Sequence, residues 1–170
     1  MRVGRVQATI FLPPHIAEIV DEARRVWDPA SAHRLSAHVT VLHHAESGPA
    51  LQSRLEQIAP VLAPFRLRLG RAERWPEPDH GVYVTVDDVD HGLARLRNLL
   101  VTAAGRPPRG GYIPHVTLAH ARTVHRSEVD RAWDALRGLA IEETITVDAA
   151  SVITSTTTTW LTVATAHLGP

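Results

Sequence analysis

Ala37-His38-Val39-Thr40-Val41-Leu42 returns, slightly altered, as Pro114-His115-Val116-Thr117-Leu118-Ala119. Both stretches are rich in β-branched residues and read as strands. Successive side chains of a strand point to opposite faces, so His38 shares a face with Thr40, and His115 shares one with Thr117. Val39, Val41, Val116 and Leu118 fall on the other face and supply apolar surface for a core. Each strand therefore offers an imidazole beside a hydroxyl. Two such strands on one cleft hold two proton-transfer groups and two hydroxyl donors, a set suited to acid–base chemistry on a phosphate ester.

Working outward, a similar order of elements flanks each copy. Val6 to Leu12 is a predicted strand stopped by Pro13-Pro14, and Pro14 suits the first turn of a following helix. Ile16, Ile19, Val20, Ala23, Val26 and Trp27 form one apolar helix face, which Asp28-Pro29 ends. A polar loop leads to the first motif strand. Leu51, Leu55, Ile58, Ala59 and Leu62 mark a second helix, and Phe65 to Leu69 alternates as a strand should. The loop Trp75-Pro76-Glu77-Pro78-Asp79 divides the chain. Beyond it, Gly81 to Val86 reads as a strand, and Val89, Leu93, Leu96, Leu100 and Ala103 line a helix. The loop Gly105 to Gly111, with Arg106 and Arg109, precedes the second motif strand within Tyr112 to His120. Ser127 is read as the N-cap of a helix carrying Val129, Ala132, Trp133, Leu136 and Leu139. Thr144 to Val152 and Thr159 to Ala166 are read as strands joined by a threonine-rich hairpin turn.

The motif histidines lie 77 residues apart, close to half of the 170-residue chain. With the repeated element order, this points to an internal duplication over roughly 1–76 and 77–170 within one domain spanning 1–170. The composition fits one globular domain with a sizeable core, at 44% hydrophobic and 21% charged residues. Lys plus Arg (18) cancel Asp plus Glu (18), so no global field recruits a long polyanion and no DNA partner is expected. The absence of cysteine excludes thiol catalysis, thiolate metal sites and disulfides. No stretch reaches the roughly 18 apolar residues of a membrane span, and the start of the chain lacks the apolar core of a secretory signal. A cytoplasmic monomer is expected.

The paired motifs, in AHVTVL and PHVTLAHAR, resemble the two HxTx motifs of the 2H phosphoesterase superfamily. Within it the chain is most similar to the 2′-5′ RNA ligase and cyclic nucleotide phosphodiesterase branch, over essentially its whole length. The resemblance implies an α+β fold of two pseudo-symmetric lobes, each an antiparallel sheet flanked by helices, with a cleft between them. It also implies an enzyme needing neither metal nor cofactor, acting on a nucleoside 2′,3′-cyclic phosphate or an RNA terminus. One of His38 and His115 would be the general base and the other the general acid. Thr40 and Thr117 would bind the non-bridging phosphate oxygens. In the ligase members the same steps run backwards to join ends through a 2′-5′ linkage.

Two departures follow the motifs. Ligase members usually continue the first with a basic residue and an aromatic, where this chain has His43-His44. The second commonly ends in an arginine, where His120 stands here, with Arg122 two residues on. His120 and Arg122 share a strand face by period and are candidate substrate contacts, as is Tyr112, whose ring suits stacking on an unpaired base. Arg106 and Arg109 could grip a phosphate, although a solvated loop is the better reading. His43 falls on the face opposite His38 by strict alternation and is read as non-catalytic.

Two rival readings stand beside this one. The 11 histidines suggest a metallohydrolase, but none has the spacing of HExxH, and no Asp or Glu neighbours either motif. The other rival is a binding module on the same fold, holding a nucleotide or RNA end without turnover.

Overall fold

Val6–Phe11 forms β1, and Pro14–Trp27 forms α1 with its proline in the first turn, where a missing N–H leaves no partner unsatisfied. The computed structural model describes residues 4–76, 78–104 and 110–170. Arg106, Arg109 and Glu77 lie outside the described residues. The elements continue as α2 (Pro29–Arg34), β2 (His38–Leu42), α3 (Leu51–Ile58) and, after a 3₁₀ turn, β3 (Phe65–Arg74). Then come β4 (Gly81–Asp88), α4 (Gly92–Ala104), β5 (His115–His120), α5 (Arg126–Leu136), β6 (Ala140–Val147), β7 (Ala149–Ser155) and β8 (Trp160–His167).

These strands build two four-stranded antiparallel sheets, in the orders β2-β1-β7-β8 and β5-β4-β3-β6. α3 packs on β1, β7 and β8, and α5 packs on β3, β4 and β5. The fold is α+β with two lobes, as the motifs implied. The lobes do not coincide with residues 1–76 and 77–170, however. β3, from the first part of the chain, pairs with β4 and β6, while β7, from the second part, pairs with β1. The single strand expected over Thr144 to Val152 is correspondingly two strands. It breaks at Asp148, with one piece in each sheet. Asp148-Ala149-Ala150, weak strand formers inside the β-branched run, mark the crossing, but they say nothing of a change of sheet. The threonine-rich hairpin is present, with Ser155 opposite Trp160.

Three local readings change for physical reasons. The polar loop after Asp28 is the short helix α2, because Asp28 accepts a hydrogen bond from Ser31 N at 3.1 Å and Pro29 starts the turn. His125, not Ser127, caps α5, accepting from Ser127 N through its Nδ1 at 3.3 Å. On α1, Ile16 and Val20 are buried, but Ile19 and Val26 are 47% and 66% exposed. Arg24 takes the inward position instead, because Asp21 (2.5 Å) and Ser31 (3.1 Å) satisfy its guanidinium there. On α4, Leu93, Leu96 and Leu100 are buried as expected, whereas Val89 lies before the helix and is exposed. These leucines join the apolar faces of β1, α3 and β4 in one continuous core across both lobes.

The motif strands β2 and β5 are edge strands of their own sheets and lie beside each other. An exposed edge invites unwanted pairing, and here each edge is covered by the other lobe. α4 of the second lobe packs on β2, and α1 of the first packs on β5. One buried ion pair fixes the first of these contacts. Arg97 of α4 meets Glu46 at 2.5 Å, and donates to the Val41 carbonyl at 2.8 Å. Removing one member of a buried pair leaves the other charge uncompensated, at a cost of about 3–5 kcal/mol. Denaturant unfolding of Arg97→Leu is expected to show a loss of that order. Arg131→Ala, which breaks an exposed pair with Glu128, is expected to change stability by less than about 1 kcal/mol. Equal effects from the two substitutions would remove the ion pair from any role in joining the lobes.

Candidate active site

Phe11 lies opposite His38 across the β1–β2 pair, and Thr9 lies opposite Thr40. In the other sheet Thr85 faces His115 and Tyr83 faces Thr117. Residues directly opposite share a sheet face, so each histidine and threonine pair stands on the cleft side of its sheet. Val39, Val41, Val116 and Leu118 are buried on the core side, as alternation requires.

Each imidazole is held in the same way. His38 Nδ1 lies 2.8 Å from the Ser36 carbonyl, and His115 Nδ1 lies 2.7 Å from the Ile113 carbonyl. A carbonyl only accepts, so Nδ1 carries the proton in both rings and Nε2 is left with its lone pair toward the cleft. Burial, aided by the Arg24 and His115 charges and opposed by the Ser36 carbonyl, lowers the His38 pKa to about 4. Burial also lowers His115, against its own carbonyl. The threonine hydroxyls have no hydrogen-bond partner among the described residues, and both line the cleft.

Two cavities meet at this point. The smaller, about 230 Å³, is lined by His38, and the larger, about 520 Å³, by His115. Thr40, Thr117, His120 and Arg122 line both. The four motif residues and both residues of the second departure thus come together in one cleft. Tyr112 lines the larger cavity, but its hydroxyl donates to the Thr40 carbonyl at 2.8 Å and Arg97 covers one ring face at 4.0 Å. Burial holds its phenol well above the ordinary range.

Strict alternation fails just after each threonine, and it fails identically. Ala8 pairs with Leu42 and Thr9 with Thr40, so Val41 is an extra residue in β2. Val82 pairs with Ala119 and Tyr83 with Thr117, so Leu118 is the extra residue in β5. Each is a β-bulge, which shifts the following side chains by one face. The bulges turn His43 and His120 toward the cleft, and the expectation that His43 faces away is corrected. His43 lines the larger cavity. Their tautomers are set alike. Ala45 N donates to His43 Nδ1 at 3.3 Å, and Arg122 N donates to His120 Nδ1 at 3.1 Å. A neutral His120 therefore carries its proton on Nε2, the reverse of His38 and His115, and offers a donor without a fixed charge. Burial and the neighbouring Arg122 charge lower its pKa.

Trp75, read from sequence only as part of a dividing loop, is a wall of the larger cavity. Its ring stacks on Tyr83 at 4.3 Å and meets His115 edge-on at 4.6 Å. Gly81 makes room for it, since a Cβ there would come within 2.7 Å of the indole. The pattern of a tryptophan six residues before a glycine carries no such information by itself. Among the described residues, no three His, Asp or Glu side chains converge as metal ligands do. No described helix is long and apolar enough to cross a membrane.

Residues 12–159 match the family model of the 2′-5′ RNA ligase superfamily. No curated protein matches the chain by sequence. Among solved structures, E. coli LigT complexed with NADP+ superposes with a TM-score of 0.70 at 22% identity, covering 99% of this chain and 100% of LigT. The same protein complexed with 3′-AMP gives 0.69 at 20% identity, with 99% and 100% covered. The protein TT0787 of Thermus thermophilus gives 0.67 at 18% identity, with 96% and 97% covered. The fold is that of these proteins.

Imidazole ¹⁵N NMR tests the hydrogen-bond assignments without any substrate. Neutral His38 and His115 should show the Nδ1-protonated tautomer and titrate below the ordinary value of about 6.5, while neutral His120 shows the Nε2-protonated form. A shared tautomer for His38 and His120 would contradict the geometry.

Proposed function

Because the chain belongs to the 2′-5′ RNA ligase superfamily, we propose that it is a metal-independent phosphodiesterase that opens 2′,3′-cyclic phosphates of nucleotides or RNA ends. One observation carries the reading: two Nε2 atoms and two threonine hydroxyls, the latter without a hydrogen-bond partner among the described residues, converge from two strands on a single cleft. That LigT, on the same fold, has been crystallised with NADP+ and with 3′-AMP supports a nucleotide as the occupant.

The reacting phosphate sits between the threonines, whose hydroxyls donate to its non-bridging oxygens and stabilise the charge that develops there. Two features distinguish the histidines. Arg24 lines the same cavity as His38 and disfavours a second positive charge on it, whereas His115 lies against Trp75 and Tyr83. His38 is therefore assigned as the general base. A water oxygen attacks phosphorus and its proton passes to His38 Nε2. The bond from phosphorus to one ribose oxygen breaks, and that oxygen takes a proton from His115 Nε2. The product is a nucleoside monophosphate. With a 5′-hydroxyl in place of water, the same groups open the cyclic phosphate in the same direction and join RNA ends: the hydroxyl's proton passes to His38 and the departing ribose oxygen takes one from His115. Trp75 and Tyr112 wall the nucleoside side, and His120 and Arg122 add donors around the phosphate. The reading takes the protein as a cytoplasmic monomer.

His38→Ala and His115→Ala are each expected to lower kcat/KM by about 10²–10⁴-fold. Wild-type rates in both variants would sink the mechanism, and tight binding without product in the wild type would favour a binding module instead. The pH dependence follows from the directions of the shifts. The productive form has His38 neutral and His115 protonated. It exists above the lowered His38 value of about 4 and below the lowered His115 value, itself under the ordinary 6.5. The profile of kcat/KM should be a bell displaced to the acidic side of 6.5. Its two limbs report the pair together.

A further inference from the structure

The smaller cavity contains more binding chemistry than the acid–base step uses. Besides His38 it is lined by Gln7 of β1, Arg24 of α1, Arg34 of α2, Arg122 and Trp160 of β8. Gln7 stands in the middle of a sheet at 6% exposure, and its side-chain amide has no hydrogen-bond partner among the described residues. The residue as a whole is buried, and the part of it that stays accessible lines this cavity. Its amide is therefore a donor and acceptor that no described residue uses, presented to whatever fills the cavity.

The surrounding groups indicate what that ligand is. Arg24 is 2% exposed, and its Nε has no partner even though Asp21 and Ser31 hold the rest of the guanidinium. Arg34 forms no ion pair among the described residues. The one carboxylate in the lining, Asp28, is already engaged by Ser31 N at 3.1 Å, His120 N at 3.3 Å and Thr123 Oγ1 at 2.6 Å. Arg122 also meets Asp79 at 3.5 Å in an exposed pair. Three guanidinium groups and an amide thus line the cavity, with the side chains of Arg34 and Gln7 unengaged among the described residues and no free carboxylate in the lining, a set suited to an oxyanion. The cavity adjoins the threonine pair but lies on the His38 side, apart from the Trp75 side where the nucleoside was placed.

We propose that this smaller cavity is a second anion subsite, which selects substrates carrying another phosphate beyond the one that reacts. The proposal rests on the phosphoesterase reading of the cleft and deepens it. The second phosphate is either a terminal monoester or an internucleotide diester, and the two share the same recognition chemistry.

The test compares kcat/KM for adenosine 2′,3′-cyclic phosphate, its 5′-phosphorylated form, and a dinucleotide ending in the cyclic phosphate. A second phosphate should raise kcat/KM by about tenfold or more, the scale of a charge-assisted contact. A gain with the monoester alone assigns the subsite to a terminal phosphate, and a gain with both substrates assigns it to a phosphate in either linkage. Arg34→Ala, at an exposed position, and Gln7→Leu should each erase most of that gain, lowering rates on the larger substrates by a greater factor than on the smallest. Equal kcat/KM for all three, or equal loss on all three in the variants, overturns the subsite. Calorimetric titration with adenosine 2′-monophosphate and adenosine 2′,5′-bisphosphate separates this failure from that of the parent reading. If nothing is turned over, the phosphoesterase reading fails, while tighter binding of the bisphosphate that Arg34→Ala abolishes still supports the subsite. Equal affinities for the two ligands overturn it.

Discussion

β3 leaves the part of the chain that built β1 and β2 and pairs with β4 and β6, and β7 crosses back to pair with β1. Each sheet thus draws strands from both sides of the loop at Trp75 to Asp79. The exchange sets β2 and β5, each an edge strand, beside one another, and the core runs unbroken through both lobes. A cleft built this way does not depend on a hinge to bring its two walls together. The two histidines are held by strands whose other faces are fully buried, which is the kind of support a site needs to keep its geometry.

Within that frame, most of the site's character comes from hydrogen bonds that a strand alone would not supply. A backbone carbonyl two residues upstream fixes the imidazole of His38 and of His115, so both present the same nitrogen to the cleft. The bulge after each threonine then adds a second imidazole of opposite tautomer on the same face. One short stretch of chain therefore supplies an acceptor at its first histidine and a donor at its second. The arrangement occurs twice, once in each lobe. Where relatives commonly carry an arginine, His120 keeps a donor without its permanent charge.

How much of this was legible beforehand depended on the period of the signal. His38, Thr40, His115 and Thr117 could be placed because alternation holds from the first residue of each motif to the third. It breaks at Val41 and Leu118, and no residue type there announces an extra position, so alternation alone puts His43 on the wrong face. Arg24 was invisible for a related reason. Helical periodicity counts apolar residues, and at this site the inward face of α1 is partly polar. Trp75 and Gln7 are joined to the site only by tertiary contacts, and the drop in β-propensity at Asp148 does not tell a break within one strand from a change of sheet. The fold class survived these omissions because it rested on the resemblance carried by the two motifs, whose strands are short, at five and six residues, but lie where alternation puts them.

The central claim is that these four side chains alone perform phosphoryl chemistry. The most direct measurement is ³¹P NMR of adenosine 2′,3′-cyclic phosphate incubated with the wild-type protein in ¹⁸O-labelled water and excess chelator. The account predicts conversion to a single monophosphate regioisomer with one labelled oxygen on phosphorus, because only one histidine can protonate the departing ribose oxygen. No product under these conditions, or product only after a divalent metal is restored, would contradict it.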